Sequence, residues 1–278
     1  LIDDGLRLRI ERLAGSADAD RDEARAAVGA LLSLLESGAV RAAEPTPGGW
    51  IVHSWVKQGL LLAFRYGVNA SLSVPPFHFR DRDTLPTQDP AAGGRNVRVV
   101  PGGSTVRRGA FLADGVVVMP PAFVNAGAYV GAGTMIDSHA LVGSCAQIGE
   151  RVHLSAAVQV GGVLEPPGAM PVIVEDDAFV GGGCGLYEGT RVGRGAVLAP
   201  GVVLTRAVAL HDVARERTIV ADASGVLVVP ERAVVVPGSR PAAGDWARAR
   251  GLSLYTPVIV KYRDQQTDAA AALEEGLR

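Results

Sequence analysis

Cysteine is scarce in this chain, large aromatic rings are few, and metal-ligand spacings are missing. Among 278 residues there are two cysteines and 5% aromatics. Two thiols, Cys145 and Cys184, cannot make a disulfide framework, and a reducing cytoplasm is the simplest setting. Neither C-x-x-C nor H-E-x-x-H occurs, so no metal is expected from the sequence. There is no long uncharged apolar run and no basic-then-apolar leader, which excludes the usual signs of a membrane span or secretion signal. A net charge of −2 argues against a nucleic acid or other polyanion as partner. Against these absences stand 35 glycines and 48% hydrophobic residues, too apolar a chain for disorder. A core poor in rings has to be assembled from Val, Leu, Ile and Ala in some regular way.

The regularity has a period of six. From Val106 to Val160, ten aliphatic residues follow one another at every sixth position. Four residues after each of the first nine comes a small or β-branched residue, from Ala110 to Val158. The register breaks over residues 161–173, which hold Pro166, Pro167 and Pro171, and resumes from Val174 to Leu204. A period of six is neither helical nor a hairpin alternation. It fits a short strand and a turn wound into a triangular solenoid, the parallel β-helix of hexapeptide repeats. Three hexads make a coil, so sixteen hexads make about five coils, and strands about 4.8 Å apart give a prism about 25 Å tall. Each coil is stabilised by stacking on its neighbours.

Outside the repeat, Arg21–Glu36 reads as an amphipathic helix with Val28, Leu31, Leu32 and Leu35 on one face and Gly38 as its stop. Residues 55–64 read as a second helix, and 68–95 as a linker rich in Pro, Gly and Asp. Residues 221–237 read as strands closing the prism, 253–263 as one further strand, and 268–277 as a short terminal helix. The expected division is an N-terminal helical domain and linker (1–95), a β-helix (96–220) and a C-terminal extension (221–278).

Several runs resemble tetrahydrodipicolinate N-succinyltransferases. They are Val124-Asn125-Ala126-Gly127-Ala128-Tyr129-Val130, Gly133-Thr134-Met135-Ile136-Asp137, Val142-Gly143-Ser144-Cys145-Ala146-Gln147-Ile148-Gly149 and Gly161-Gly162-Val163-Leu164-Glu165-Pro166. The resemblance continues through Glu175-Asp176 and, at the N-terminus, Leu34-Leu35-Glu36-Ser37-Gly38. It implies a left-handed winding, a homotrimer with sites between subunits, and cytoplasmic acyl transfer from succinyl-CoA or acetyl-CoA, with no metal. The implied acceptor is an amino-dicarboxylate of lysine and diaminopimelate biosynthesis. Arg98 matches an arginine that pairs with a substrate carboxylate, a task its forked guanidinium suits. Asp137 matches an acidic residue at the substrate's amino end, where a carboxylate can orient an ammonium group and take its proton.

Two departures fall near the implied site. The family's Asp-Thr-Trp is Asp137-Ser138-His139 here, and its Gly-Ala-Arg-Ser-Glu is Gly181-Gly182-Gly183-Cys184-Gly185. The family's active-site glutamate is therefore a glycine. Ser138 is a candidate substrate contact. His139 should project from a turn two residues after Asp137, where an imidazole can serve as a base; a polar surface or interface histidine is the plainer reading. His153 divides between a structural hydrogen bond and a site role. Thioester aminolysis needs positioning, one proton acceptor and an oxyanion site. Gly161, Gly162, Gly182 and Gly183 are candidate contacts for the CoA thioester through backbone N–H groups. Cys184 falls in the small-residue register and reads as core, as does Cys145. Glu165 could reach a neighbouring subunit or simply face solvent. Arg107 and Arg108, at the first hexad, are carboxylate binders or ordinary turn charges.

These features leave a paralogue with a different acyl group or acceptor as the alternative within the enzyme class, including specialised metabolism. A non-catalytic hexad protein is a second alternative. A third is a carbonic-anhydrase-like enzyme, which five histidines permit on count alone.

Overall fold

A computed structural model describes residues 4–73, 78–92 and 94–264. The hexads form three parallel sheets that wrap one core. Face I runs outward through Arg98, Val117, Met135, His153, Phe179 and Val197. Face II runs through Thr105, Phe123, Leu141, Gln159, Gly185 and Val203. Face III runs through Phe111, Tyr129, Gln147, Ile173, Arg191 and Val228. Strand partners such as Tyr129 and Gln147 lie 18 residues apart, so three hexads close a coil.

The inward residue of every hexad is buried, and so are its small companions from Ala110 to Val202. Polar residues in the companion series are tolerated because each finds a partner. The Thr134 hydroxyl donates to the Gly149 carbonyl (2.8 Å) and accepts the Val152 N–H (3.0 Å). The Cys184 thiol donates to the Ala199 carbonyl at 3.2 Å. One turn residue per hexad is left-handed, with φ from 53° to 78° over Gly127, Gly133, His139, Cys145, Arg151 and Ala157. The 161–173 segment leaves the stack at the edge between faces II and III. Gln147 then pairs with Ile173, 26 residues on rather than 18, and the coils resume in register.

Three helices form a second core. The expected helix is α2 (Arg21–Glu36), capped by the Asp20 carboxylate, which accepts the Glu23 N–H at 2.7 Å. The 55–64 helix is α3 (Ser54–Tyr66). An unanticipated α1 (Asp4–Ala14) buries Leu6, Ile10 and Leu13 against them. This core reaches the β-helix at the edge between faces II and III, where Ala126 and Cys145 join it. The approach is close: a Cβ at Gly127 would stand 2.8 Å from Leu60 Cδ1.

The 68–95 stretch has little regular structure among its described residues, as its composition suggests. It carries a short antiparallel pair, Asn69–Ser71 with Arg80–Arg82. A second pair, Ala43–Thr46 with Gly49–Val52, lies over face III, where the Trp50 indole N–H donates to Glu175 at 3.1 Å. Within 221–237, Leu227–Val229 continues face III and the strand Ala233–Pro241 continues face I. The latter then pairs antiparallel with Ser253–Tyr262. The expected 268–277 helix lies outside the described residues.

Candidate functional site

The edge between faces I and II collects most of the singled-out residues. Each coil turns there through three residues: Asp137-Ser138-His139, then Ser155-Ala156-Ala157, then Gly181-Gly182-Gly183. Backbone bonds stack them, Ala157 N–H to Ser138 O at 2.8 Å and Gly183 N–H to Ala156 O at 2.9 Å. Asp137 is half-buried and its Oδ1 accepts the Ser138 N–H at 2.6 Å. The second carboxylate oxygen remains for a ligand.

His139 projects from the turn as the hexad register requires, with an exposed side chain and φ of 62°. Its N–H is held by the Pro121 carbonyl at 2.6 Å. The Gln159 amide donates to the carbonyls of His139 and Ala157, both at 3.3 Å. That amide ties the outer surface of face II to this edge. Arg98 stands exposed on face I, two rungs before Met135. The structure thus brings Asp137, Ser138 and His139 together, with Gly182 and Gly183 two coils along the same edge.

Gly161 and Gly162 do not join them. They sit on the opposite edge of face II, after Gln159 and Val160. The Gly161 N–H is spent on the Leu186 carbonyl at 2.7 Å, and the Gly183 N–H on Ala156. Neither can donate to an oxyanion or a thioester without breaking the ladder. Among the candidate glycines, Gly162 and Gly182 are the two whose N–H groups take no backbone partner among the described residues.

Most of the remaining singled-out side chains have a structural place. Arg108 pairs with Glu36 at 2.8 Å, and Arg107 pairs with Asp81, so both tie flanking segments to the first hexad. His153 is buried on face I and packs edge-on to Phe179, with centroids 5.0 Å apart. Burial pushes the Cys145 thiol up to about 12 and raises that of Cys184, which keeps both sulfurs protonated. Glu165 is exposed on the 161–173 segment. Among the described residues no cluster of three or more His, Cys, Asp or Glu could hold a metal ion, and no helix is long and apolar enough to cross a membrane.

Two residues were not anticipated. Lys57, on α3, is fully buried and its Nζ donates to the Ala169 carbonyl at 2.5 Å, fastening the 161–173 segment. Burial lowers its pKa. Tyr187 lies on face II over Gly185, and no feature of the hexad pattern marks it.

Known proteins resemble the chain along its length. The tetrahydrodipicolinate N-succinyltransferase N-terminal family model matches residues 10–66, and the hexapeptide repeat of succinyl-transferase model matches 171–206. A 2,3,4,5-tetrahydropyridine-2,6-dicarboxylate N-succinyltransferase from Bordetella petrii is 45% identical, over 92% of this chain and 90% of its own. A protein of the same description from Ralstonia nicotianae is 44% identical, over 95% and 92% respectively. Another from Azoarcus is 42% identical over 100% of this chain and 97% of its own.

Proposed function

The chain belongs to the tetrahydrodipicolinate N-succinyltransferase family, and on that premise we propose that it transfers a succinyl group from succinyl-CoA to the amino group of an amino-dicarboxylate in lysine and diaminopimelate biosynthesis. The observation that carries this reading is relatedness above 40% across essentially the whole chain, helices and extension included. The coils wind left-handed, three chains associate, and the site lies between neighbouring prisms. The three segments 1–95, 96–220 and 221–278 act as helical domain, β-helix and C-terminal extension. The setting is the cytoplasm, where acyl-CoA is available.

The chemistry asks little of the protein. The amine nitrogen attacks the thioester carbonyl carbon, the C–S bond breaks, and the amine's proton leaves as the CoA thiol departs. Asp137 holds the ammonium form, accepts its proton, and so delivers a free amine. Arg98 takes a carboxylate of the acceptor. Ser138 and His139 flank the acceptor at the same turn, and His139 is a second proton acceptor. The Gly182 N–H takes no backbone partner among the described residues and can donate to the thioester oxygen. Bound along this edge, the thioester would meet Gly182 and Gly183 two coils beyond Asp137.

Gly185, where the family resemblance places a glutamate, favours one further reading: a paralogue with a different acceptor or acyl group. A thiol-release assay separates the two. Purified protein is crossed with succinyl-CoA and acetyl-CoA against 2-aminopimelate and a panel of other amino acids. Succinyl transfer to 2-aminopimelate is the expected result. Transfer confined to another donor or acceptor would replace it with the paralogue reading. No turnover and no CoA binding would point to a non-catalytic hexad protein.

A further inference from the structure

Position 185 faces outward on face II, since its neighbour Leu186 is fully buried in the core. An outward glycine ought to be open to solvent, yet Gly185 is buried. The cover is the Tyr187 ring. A Cβ at Gly185 would stand 2.7 Å from Tyr187 Cε2 and 3.1 Å from its Cζ and hydroxyl oxygen. A Cβ at Gly161, one rung below Tyr187, would stand 3.2 Å from Tyr187 Cδ1. Two glycines in adjacent coils therefore form a bed for one ring. A side chain at 185 and the ring in this position exclude each other.

The ring folds from the edge between faces II and III back across face II. Its hydroxyl ends over Gly185, whose strand neighbour in the next coil is Gln159, with strands about 4.8 Å apart. Gln159 is bonded to the His139 carbonyl, so hydroxyl, amide and the Asp137-Ser138-His139 turn lie on one continuous strip. Tyr187 remains 41% exposed, so a ligand on that strip can reach it.

We propose that Tyr187 is a substrate-contacting specificity residue, its hydroxyl donating to an acceptor carboxylate in the groove where residue 185 would otherwise project. The proposal rests on the acyltransferase reading above. The chemical distinction is one of sign. A carboxylate at 185 can only accept hydrogen bonds and repels an anionic group, whereas a phenol hydroxyl can donate to one. The glycine and the tyrosine together turn a position suited to a cationic group into one suited to an anionic oxygen.

Steady-state kinetics on Tyr187→Phe and Gly185→Ala test this with succinyl-CoA and 2-aminopimelate. Tyr187→Phe keeps the ring on its glycine bed and removes only the donor. It should raise the acceptor KM about tenfold or more, as expected for a lost hydrogen bond to a charged group, with the succinyl-CoA KM and the Tm unchanged. Gly185→Ala should raise the same KM by displacing the ring. A purely structural ring would leave Tyr187→Phe within twofold of the parent, which overturns the assignment while the activity stands. If the parent protein fails to succinylate any amino-dicarboxylate, the acyltransferase reading itself falls, and that is seen before any variant is compared.

Discussion

Asp137 sits where the hexad turn fixes its backbone twice, through its own Oδ1 bond to Ser138 and through the stack above it. A carboxylate held that way is oriented before any ligand arrives, which is what proton transfer in a groove requires. Asparagine has nearly the same shape and keeps the Oδ1 acceptor for Ser138, but it cannot take a proton. Asp137→Asn should therefore fold normally and lower kcat/KM about 100-fold or more. A melt matching the parent with unchanged kcat/KM would remove Asp137 from the chemistry. At this scale the sequence was informative where the residue sits in the repeat. The register assigned Cys184 to the core and projected His139 outward, and both are found there. It was silent on Tyr187, because the ring's seat is made by Gly161 and Gly185, which are 24 residues apart and meet only once the coils stack.

Among the elements, the strands of the β-helix were legible because inward and companion positions repeat at a fixed spacing. The expected helices were legible because one face of each is apolar. The hairpin over face III was not. Of its first strand only Ala43 is buried, and its anchors are distant in sequence. Trp50 reaches Glu175, and Arg41 lies 3.6 Å over the Tyr129 ring while donating to Gln147 at 2.9 Å. No local pattern encodes such contacts. The same logic of close stacking gives a prediction for the edge between faces II and III. A Cβ at Gly143 would stand 2.2 Å from the Gly162 nitrogen and 2.5 Å from the Gly161 carbonyl carbon, both backbone. Gly143→Ala must push the start of the 161–173 segment outward and should cost about 1–3 kcal/mol of stability. Gly168→Ala, with nothing within 4 Å of its new methyl, should stay within about 0.5 kcal/mol. Denaturant melts of the two variants beside the parent would decide, and equal stabilities would show that this edge yields freely.

At the scale of the whole molecule the described residues form two cores, one in the helices and one in the prism, and Lys57 lies where they meet. Its ammonium group is taken fully out of water to hold a single carbonyl, Ala169 O, of the segment that interrupts the repeat. Burial lowers its pKa; the nearby Cys145 thiol, itself raised, offers no charge at neutral pH, and the Glu188 carboxylate, which favours the ammonium, offsets the burial only in part. The direction of the shift fixes the pH response. With a folded value below the ordinary lysine value of 10.5, the unfolded chain binds more protons than the folded one in the interval between the two. Stability must therefore rise as pH climbs through that interval, and the cost of the buried charge is fully present below it. Lys57→Met removes the titrating group and also leaves the Ala169 carbonyl without its donor. The parent's Tm relative to that of Lys57→Met should increase from pH 7 toward pH 10.5, measured by thermal melts in matched buffers. A difference that stays flat would mean that Lys57 keeps its ordinary affinity for protons. A difference that falls would mean that the pull of an anion such as the Glu188 carboxylate outweighs burial, making the junction between the cores an ion pair in effect.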